Sequence, residues 1–183
     1  MTILKILDRG YKMILVKKLL SIPIILLICS FILVGCKNNN SEIKTVITLS
    51  NITQEEYQKI NNSSKPKGIS IYDLKKLDIN VKIINSKKAE VRTIIIPDLS
   101  IVLNGHDKVR AVGGGTTEQN NIGKEDTAES MAFVIFDSRG LSEQDIRNLY
   151  NKSEIKIEYK LMNNNLVENK VSVGKDLIIN NKN

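Results

Sequence analysis

Residues 154–161, EIKIEYKL, alternate apolar and charged side chains more regularly than any other part of this sequence. In an extended chain the isoleucines, tyrosine and leucine share one face, and the lysines and glutamates share the other. This period of two residues predicts a strand with one buried face. Residues 162–165, MNNN, form a turn by composition and lead into a second β-type stretch at residues 166–173, so we expect a β-hairpin.

The stretch before the hairpin predicts a strand followed by a short helix. Residues 131–136, MAFVIF, are apolar at every position, which is typical of a central strand covered on both faces. Ser142 is followed three residues later by Asp145, a pattern in which the two side chains bind free N–H groups at the start of a helix. We expect that helix to end near Tyr150.

Short β-branched runs elsewhere in the chain predict further strands. These runs are residues 43–49, 78–85, 90–96 and 99–103, with weak pairing at residues 109–112 and a last edge strand at residues 177–179. Thr53 with Glu56 makes another capping pattern, which predicts a helix to about Ile60. Ser70 with Asp73 repeats it, although residues 69–74 also fit a short strand.

Seven or so short strands with short helical turns predict a mainly β protein, and an antiparallel β-sandwich over residues 43–183 is favoured. The order of strand, helical crossing and hairpin at residues 130–173 resembles the last three strands of an immunoglobulin-like domain. This resemblance implies two facing sheets with one to three short capping helices. The Cys…Trp…Cys signature is missing, since the chain has no tryptophan. A small barrel and an α+β sheet remain alternative folds. Either Tyr150 or Tyr159 could form the tyrosine corner of an immunoglobulin-like domain, but an ordinary core position is preferred for both.

An uncharged apolar run at residues 19–35 follows two lysines, which is the pattern of a secretory signal. Its end, LVGC at residues 33–36, resembles the lipobox of bacterial lipoproteins. The resemblance implies cleavage between Gly35 and Cys36 and attachment of a diacylglyceryl group to the Cys36 thiol. We therefore expect a signal peptide with a helical apolar core at residues 1–35 and a polar tether at residues 36–42. The alternative is an uncleaved transmembrane anchor.

The net charge and the cysteine positions exclude several classes of function. The chain has a formal net charge of +7, but five of its 27 basic and one of its 20 acidic residues precede residue 36. The remaining +3 does not form the concentrated basic face that nucleic-acid binding needs. Cys29 lies in the predicted signal and Cys36 is predicted to be acylated, which leaves no thiol for a disulfide. Translation from Met13 instead of Met1 would give a signal of more ordinary length.

Few residues suggest catalysis or metal binding. His106, the only histidine, is expected in an exposed turn and not in a Ser-His-Asp triad. The acidic residues near Glu129 lack the alternating spacing of a calcium loop. The three consecutive glycines lack the lysine of a phosphate loop. We predict a flexible recognition loop at residues 113–126, marked by Gly113, Gly114, Gly115, Glu125 and Asp126.

The sequence therefore favours a non-enzymatic, exported protein held at the outer side of the cell membrane through Cys36. No catalytic residue, metal or cofactor is predicted. Its β-sandwich is expected to bind or support another envelope protein or a wall component, and no nucleic acid. Two alternatives stay open, namely an envelope hydrolase that uses carboxylates or a Ser/Lys pair, and a small-solute receptor.

Overall fold

The computed structural model describes residues 41–84, 89–119, 126–161 and 163–180. These residues contain eight β-strands and three short α-helices. The strands are β1 (Glu42–Asn51), β2 (Leu74–Ile84), β3 (Ala89–Ile95), β4 (Ala111–Gln119), β5 (Thr127–Asp137), β6 (Glu154–Leu161), β7 (Leu166–Ser172) and β8 (Ile178–Asn180). The helices are α1 (Gln54–Lys59), α2 (Leu99–Asn104) and α3 (Glu143–Leu149). Within the described ranges, none of the helices has the length and apolar character needed to cross a membrane.

The strands form two sheets. Five strands pair in the order β4-β5-β2-β1-β8, and three pair in the order β3-β6-β7. Without β8, these are the D-E-B-A and C-F-G sheets of an immunoglobulin constant-type domain. The pair of β1 and β8 is parallel, and the others are antiparallel. The predicted immunoglobulin-like β-sandwich is thus confirmed, with β5, α3, β6 and β7 in the predicted order.

The core lies between the two sheets and is built from the inward positions of each strand. Strand β2 contributes alternating aliphatic residues that are fully buried, and β6 contributes Ile155 and Ile157 in the same way. Burying each such side chain contributes roughly 1.5–3 kcal/mol. Strand β5 is central, as predicted, but both of its faces are covered only near its C-terminal end. Met131 and Phe133 on its outer face are 38% and 36% exposed.

The predicted capping patterns explain where the helices begin. At α1 the Thr53 hydroxyl accepts from the N–H of Glu56, and the Glu56 carboxylate accepts from the N–H of Thr53. Ser142 and Asp145 make the same reciprocal pair at α3. Both helices are therefore confirmed, and each ends within one residue of the predicted position.

The capping pattern of Ser70 and Asp73 opens a 3-10 turn at Ile71–Asp73, after which β2 begins at Leu74. The helical interpretation of this segment is thus correct and the strand interpretation is wrong. Strand β2 consequently starts four residues before the predicted residue 78.

The predicted strand at residues 99–103 is wrong, because this segment forms α2. The Asp98 carboxylate accepts hydrogen bonds from the N–H groups of Ser100 and Ile101, at 2.9 and 3.4 Å, and so caps the helix. Leu99 and Leu103 lie one helical turn apart, and both are buried in the core. A short run with four apolar residues out of five fits a helix and a strand equally well, so only the packing of this face decides between them.

Tyr150 connects two distant parts of the fold. Its buried hydroxyl donates to the carbonyl oxygen of Leu99 at 2.6 Å, across 51 positions of sequence. A tyrosine corner bonds to the backbone only a few residues upstream. Tyr150 is therefore a core tyrosine that ties the β5–β6 connection to the start of α2, as the preferred interpretation predicted. Tyr159 is also a core residue.

Candidate functional site

The three consecutive glycines lie in β4 and not in a loop, so the predicted start of a flexible loop at Gly113 is wrong. Strand β4 pairs with β5, and the register places Gly113, Gly114 and Gly115 opposite Ile135, Val134 and Phe133 respectively. Glycine carries no side chain that could alternate, and the strand pattern is therefore invisible in the sequence. Strand β4 stands at the end of its sheet, and among the described strands only β5 pairs with it.

Close packing explains why glycine occupies two of these positions. A β-carbon at Gly114 would lie 2.9 Å from the carbonyl oxygen of Phe133, and one at Gly115 would lie 3.0 Å from Cε1 of the Phe133 ring. Gly113 differs, since a β-carbon there would meet no atom within 4 Å. The Phe133 ring thus covers Gly115 on the outer face of the sheet, as aromatic side chains do over glycines in strands.

The start of β4 is held in place by the end of α2. The side-chain oxygen of Asn104 accepts hydrogen bonds from the N–H groups of Arg110 and Ala111, at 2.8 and 2.9 Å. The register with β5 shifts between Ala111 and Gly113, which places a bulge at Val112. A bulge turns the local direction of a strand, and here it turns Val112 toward the outer face, where it is buried.

A cleft of about 530 Å³, which we call the inner cleft, lies between β4 and the chain that leads from β3 into α2. One wall is formed by Ile96, Pro97 and Leu99, and the opposite wall by the core-facing side of β4 and β5. Val134 and Ala132 form its floor. The inner cleft therefore combines aliphatic walls with polar groups, which include Asp98, Ser100 and Thr116.

A second cleft of about 400 Å³, which we call the outer groove, lies on the opposite face of β4. Its apolar residues include Ile60, Phe133 and Ile135, and its charged residues are Glu56, Lys59 and Lys76. The chain between β1 and β2 builds this side, since Ile60 packs with Val112 and Ile135 in a small second hydrophobic cluster. The ammonium group of Lys76 lies 4.9 Å from the centre of the Phe133 ring.

The carboxylates that line the two clefts are held in the ionised form. Asp98 accepts from the hydroxyl of Ser100 at 2.6 Å and from its N–H group, and these bonds lower the pKa of Asp98. Partial burial raises the pKa of Glu56, but hydrogen bonds from Thr53 and Lys76 outweigh burial and hold it below the ordinary value. A general acid requires a raised pKa, so these carboxylates suit binding better than acid catalysis.

A cluster of charges around two buried side chains, Arg110 and Asp137, lies at the end of β5, beside the start of β4. Arg110 donates to both carboxylate oxygens of Asp107, and also to the carbonyl oxygens of Asp137 and Arg139, at 2.8 and 3.0 Å. The Asp137 carboxylate is fully buried and accepts from the guanidinium of Arg139 at 2.8 and 2.9 Å and from Lys108 at 3.1 Å. Every charge here has a partner, so we assign the cluster to stability.

The structure scatters the other residues that the sequence singled out. His106 is exposed in the turn after α2. Glu129 accepts from Asn80 at 2.8 Å and lies 3.0 Å from the ammonium of Lys82. Asp126 lies in a bend directly before β5. Glu125, Gly35 and Cys36 lie outside the described residues. In the described part of the chain, no group of three or more histidine, cysteine, aspartate or glutamate residues is placed to hold a metal ion.

Comparison of the chain with known protein families, with curated proteins and with solved structures finds no match. The assignment of the two clefts beside β4 as a candidate site therefore rests on their geometry alone. Sequence reasoning singled out the glycines but missed the residues that accompany them, namely Phe133 and the segment from Ile96 to Ser100. Phe133 is the residue that could have pointed to this site. Its exposure is not visible in the sequence, because residues 131–136 are apolar at every position and therefore predict a strand covered on both faces.

Proposed function

We propose that this chain is an exported lipoprotein, anchored to the outer side of the cell membrane through Cys36, whose β-sandwich binds another protein of the cell envelope. The anchoring part rests on the LVGC ending of the apolar run at residues 19–35. The binding part rests on one observation, which is that two clefts flank the edge strand β4. Concave, mostly apolar sites with a few polar groups are typical binding sites.

The chemistry of the clefts favours binding over catalysis. The titratable residues that line them are Asp98, Glu56, Lys59 and Lys76. The two carboxylates have lowered pKa values, and Lys59 and Lys76 have raised pKa values because of their carboxylate partners. A hydrolase needs a base or a nucleophile whose pKa is shifted toward neutral pH. In the clefts the carboxylate pKa values are lowered and the lysine pKa values are raised, so both kinds of shift are directed away from neutral pH.

For the anchor, we expect Cys36→Ala to abolish incorporation of radioactive palmitate into the chain in growing cells. The chain has two cysteines, and Cys29→Ala is the matched control because Cys29 lies within the apolar run. That control should keep its label and its membrane association, since two acyl chains are enough for stable anchoring. Unchanged labelling of Cys36→Ala would contradict the proposal, because the acyl group would then be attached to another residue.

For the binding role, we expect a photoreactive amino acid at Thr116, which lines the inner cleft, to cross-link one specific protein in intact cells. The same group placed at Glu168, an exposed position on β7 in the other sheet, is the matched control and should give no such adduct. The comparison is made with the full, Cys36-anchored chain. If both positions give the same adducts, or neither gives any, the proposed binding face is wrong.

A further inference from the structure

The geometry points to a specific binding mode: the open edge of β4 takes up an extended segment of another protein as an additional strand. Aliphatic side chains of that segment enter the inner cleft, and the alternate, partly polar side chains enter the outer groove. This inference rests on the proposed binding function and names its mode and the chemical class of its partner.

Among the described strands, β4 has a neighbour on one side only, which leaves its other side open for such pairing. An edge strand presents unpaired N–H and C=O groups on its open side. Proteins usually protect an edge with charged side chains, with proline or with a bulge. Residues 113–117 read GGGTT, which contains neither charge nor proline, and the bulge at Val112 lies before them. With no side chains at the glycines, another backbone can approach these positions closely.

The two clefts lie where the side chains of an added strand would point. Successive side chains of a strand point to opposite faces of its sheet. The inner cleft and the outer groove lie on opposite faces of the same edge, and both are lined by Val112, Gly113, Gly114 and Phe133. In recognition by strand addition, main-chain hydrogen bonds supply affinity and pockets for alternate side chains supply specificity. This edge offers both.

The lining of each cleft indicates the side chain that it accepts. The inner cleft presents Ile96 and Pro97 on one wall and Val134 on its floor, so an aliphatic side chain that packs against them buries apolar surface. The outer groove combines the ring of Phe133 with the charged ends of Glu56 and Lys76. It accepts a side chain with an apolar body and a polar end, such as tyrosine or threonine. The partner segment therefore alternates these two types.

A second copy of this chain fits the same edge poorly. If two β4 strands paired at residues 113–115, each would present glycines to the clefts of the other. Glycine has no side chain, so cavities of about 530 and 400 Å³ would stay unfilled. Apolar cavities that remain unfilled forfeit contact energy. The occupant is therefore a different protein with side chains at these positions.

The first test uses synthetic peptides of nine residues, the length of β4, in which valine, isoleucine or leucine alternates with threonine or tyrosine. The Cys36-anchored chain, labelled with ¹⁵N only at its glycines, is kept in detergent micelles and titrated with each peptide. We expect saturable shifts of the amide signals of Gly113, Gly114 and Gly115, with the signal of the distant Gly68 unchanged. No shift with any peptide would overturn the inference.

The second test separates strand pairing from simple insertion into a cleft. Two versions of the best peptide carry N-methyl groups at the odd or at the even positions. Alternate N–H groups of a strand point to opposite edges, so strand addition predicts that only one version loses binding, by about tenfold or more. Equal binding of both versions, or equal loss, would show that no strand is added.

The third test changes the protein. Gly113→Lys places a charged side chain at the shared edge of both clefts without a clash, and it should weaken peptide binding by about tenfold or more. Val46→Lys, on β1 of the same sheet, is the matched control and should bind like the native chain. Unchanged binding by Gly113→Lys would overturn the inference. If Gly113→Lys still captures the partner in intact cells, the proposed binding function stands and only the strand-addition mode fails.

Discussion

Replacing Gly174 by alanine is expected to destabilise the domain by about 3 kcal/mol or more, which places it at or above the upper end of overpacking effects. A β-carbon at Gly174 would lie 2.2 Å from the carbonyl oxygen of Arg147 and 2.7 Å from the backbone nitrogen of Asn151. Both atoms belong to the backbone at the end of α3. No side chain can rotate to make room, so the chain after β7 would have to move away from the helix.

Such a movement would disturb the connection that leads from the three-stranded sheet to the five-stranded sheet. Gly174 follows β7 of the three-stranded sheet and precedes β8, which pairs with β1 in the five-stranded sheet. The N–H group of Gly174 donates to the carbonyl oxygen of Tyr150 at 3.1 Å, and its own carbonyl oxygen accepts from Arg147 at 3.4 Å. These bonds hold the passage against α3.

Chemical denaturation measures the effect, as a lower midpoint without a change in slope. Gly113→Ala is the matched control, since a β-carbon there meets no atom within 4 Å, and its midpoint should stay close to that of the native chain. Equal midpoints for Gly174→Ala and Gly113→Ala would contradict the close approach seen at Gly174.

Replacing Asp137 by asparagine is the second change with a large expected effect, a loss of about 2 kcal/mol at neutral pH, since its cationic partners Arg139 and Lys108 are themselves partly exposed. The fully buried carboxylate accepts two hydrogen bonds from the guanidinium of Arg139 and one from the ammonium of Lys108. Asparagine has nearly the same shape but no charge. It would leave these cations beside a neutral amide whose NH₂ group cannot accept their hydrogen bonds.

The size of this loss depends on pH. The hydrogen bond from Arg139 outweighs burial and, with the bond from Lys108, holds the pKa of Asp137 well below its ordinary value. Because the folded-state pKa lies below that of the unfolded chain, the carboxylate contributes fully above about pH 5. Its contribution falls as the pH drops through the ordinary aspartate range toward the folded-state pKa. The native chain and Asp137→Asn should therefore differ most at neutral pH and converge in acid.

Free energies of unfolding measured between pH 7 and pH 3 test this expectation. Asp176→Asn, which removes one acidic charge from an exposed position, is the matched control and should differ little from the native chain at any pH. A difference between Asp137→Asn and the native chain that stays constant across this range would show that the charge of Asp137 is not what stabilises the fold.

Local patterns predicted those parts of the fold in which neighbouring residues carry the information. The alternation at residues 154–161 and the capping pairs at Thr53 and Ser142 act within one strand or one helical turn. These elements form as predicted. The predictions for residues 99–103 and for Gly113 are wrong, because a short, mostly apolar run suits either element and a glycine has no side chain to show a period.

The sequence by itself determined the strand order of the last hairpin and the starts of α1 and α3, because each depends on residues close together in the chain. Only the tertiary structure decided that the glycines form an edge strand, since β5 supplies the hydrogen-bonding partner. It also decided that Ile96 and Ile60 reach opposite faces of that edge. These residues are far apart in sequence, and no local pattern relates them. The candidate site therefore exists only once the two sheets have packed.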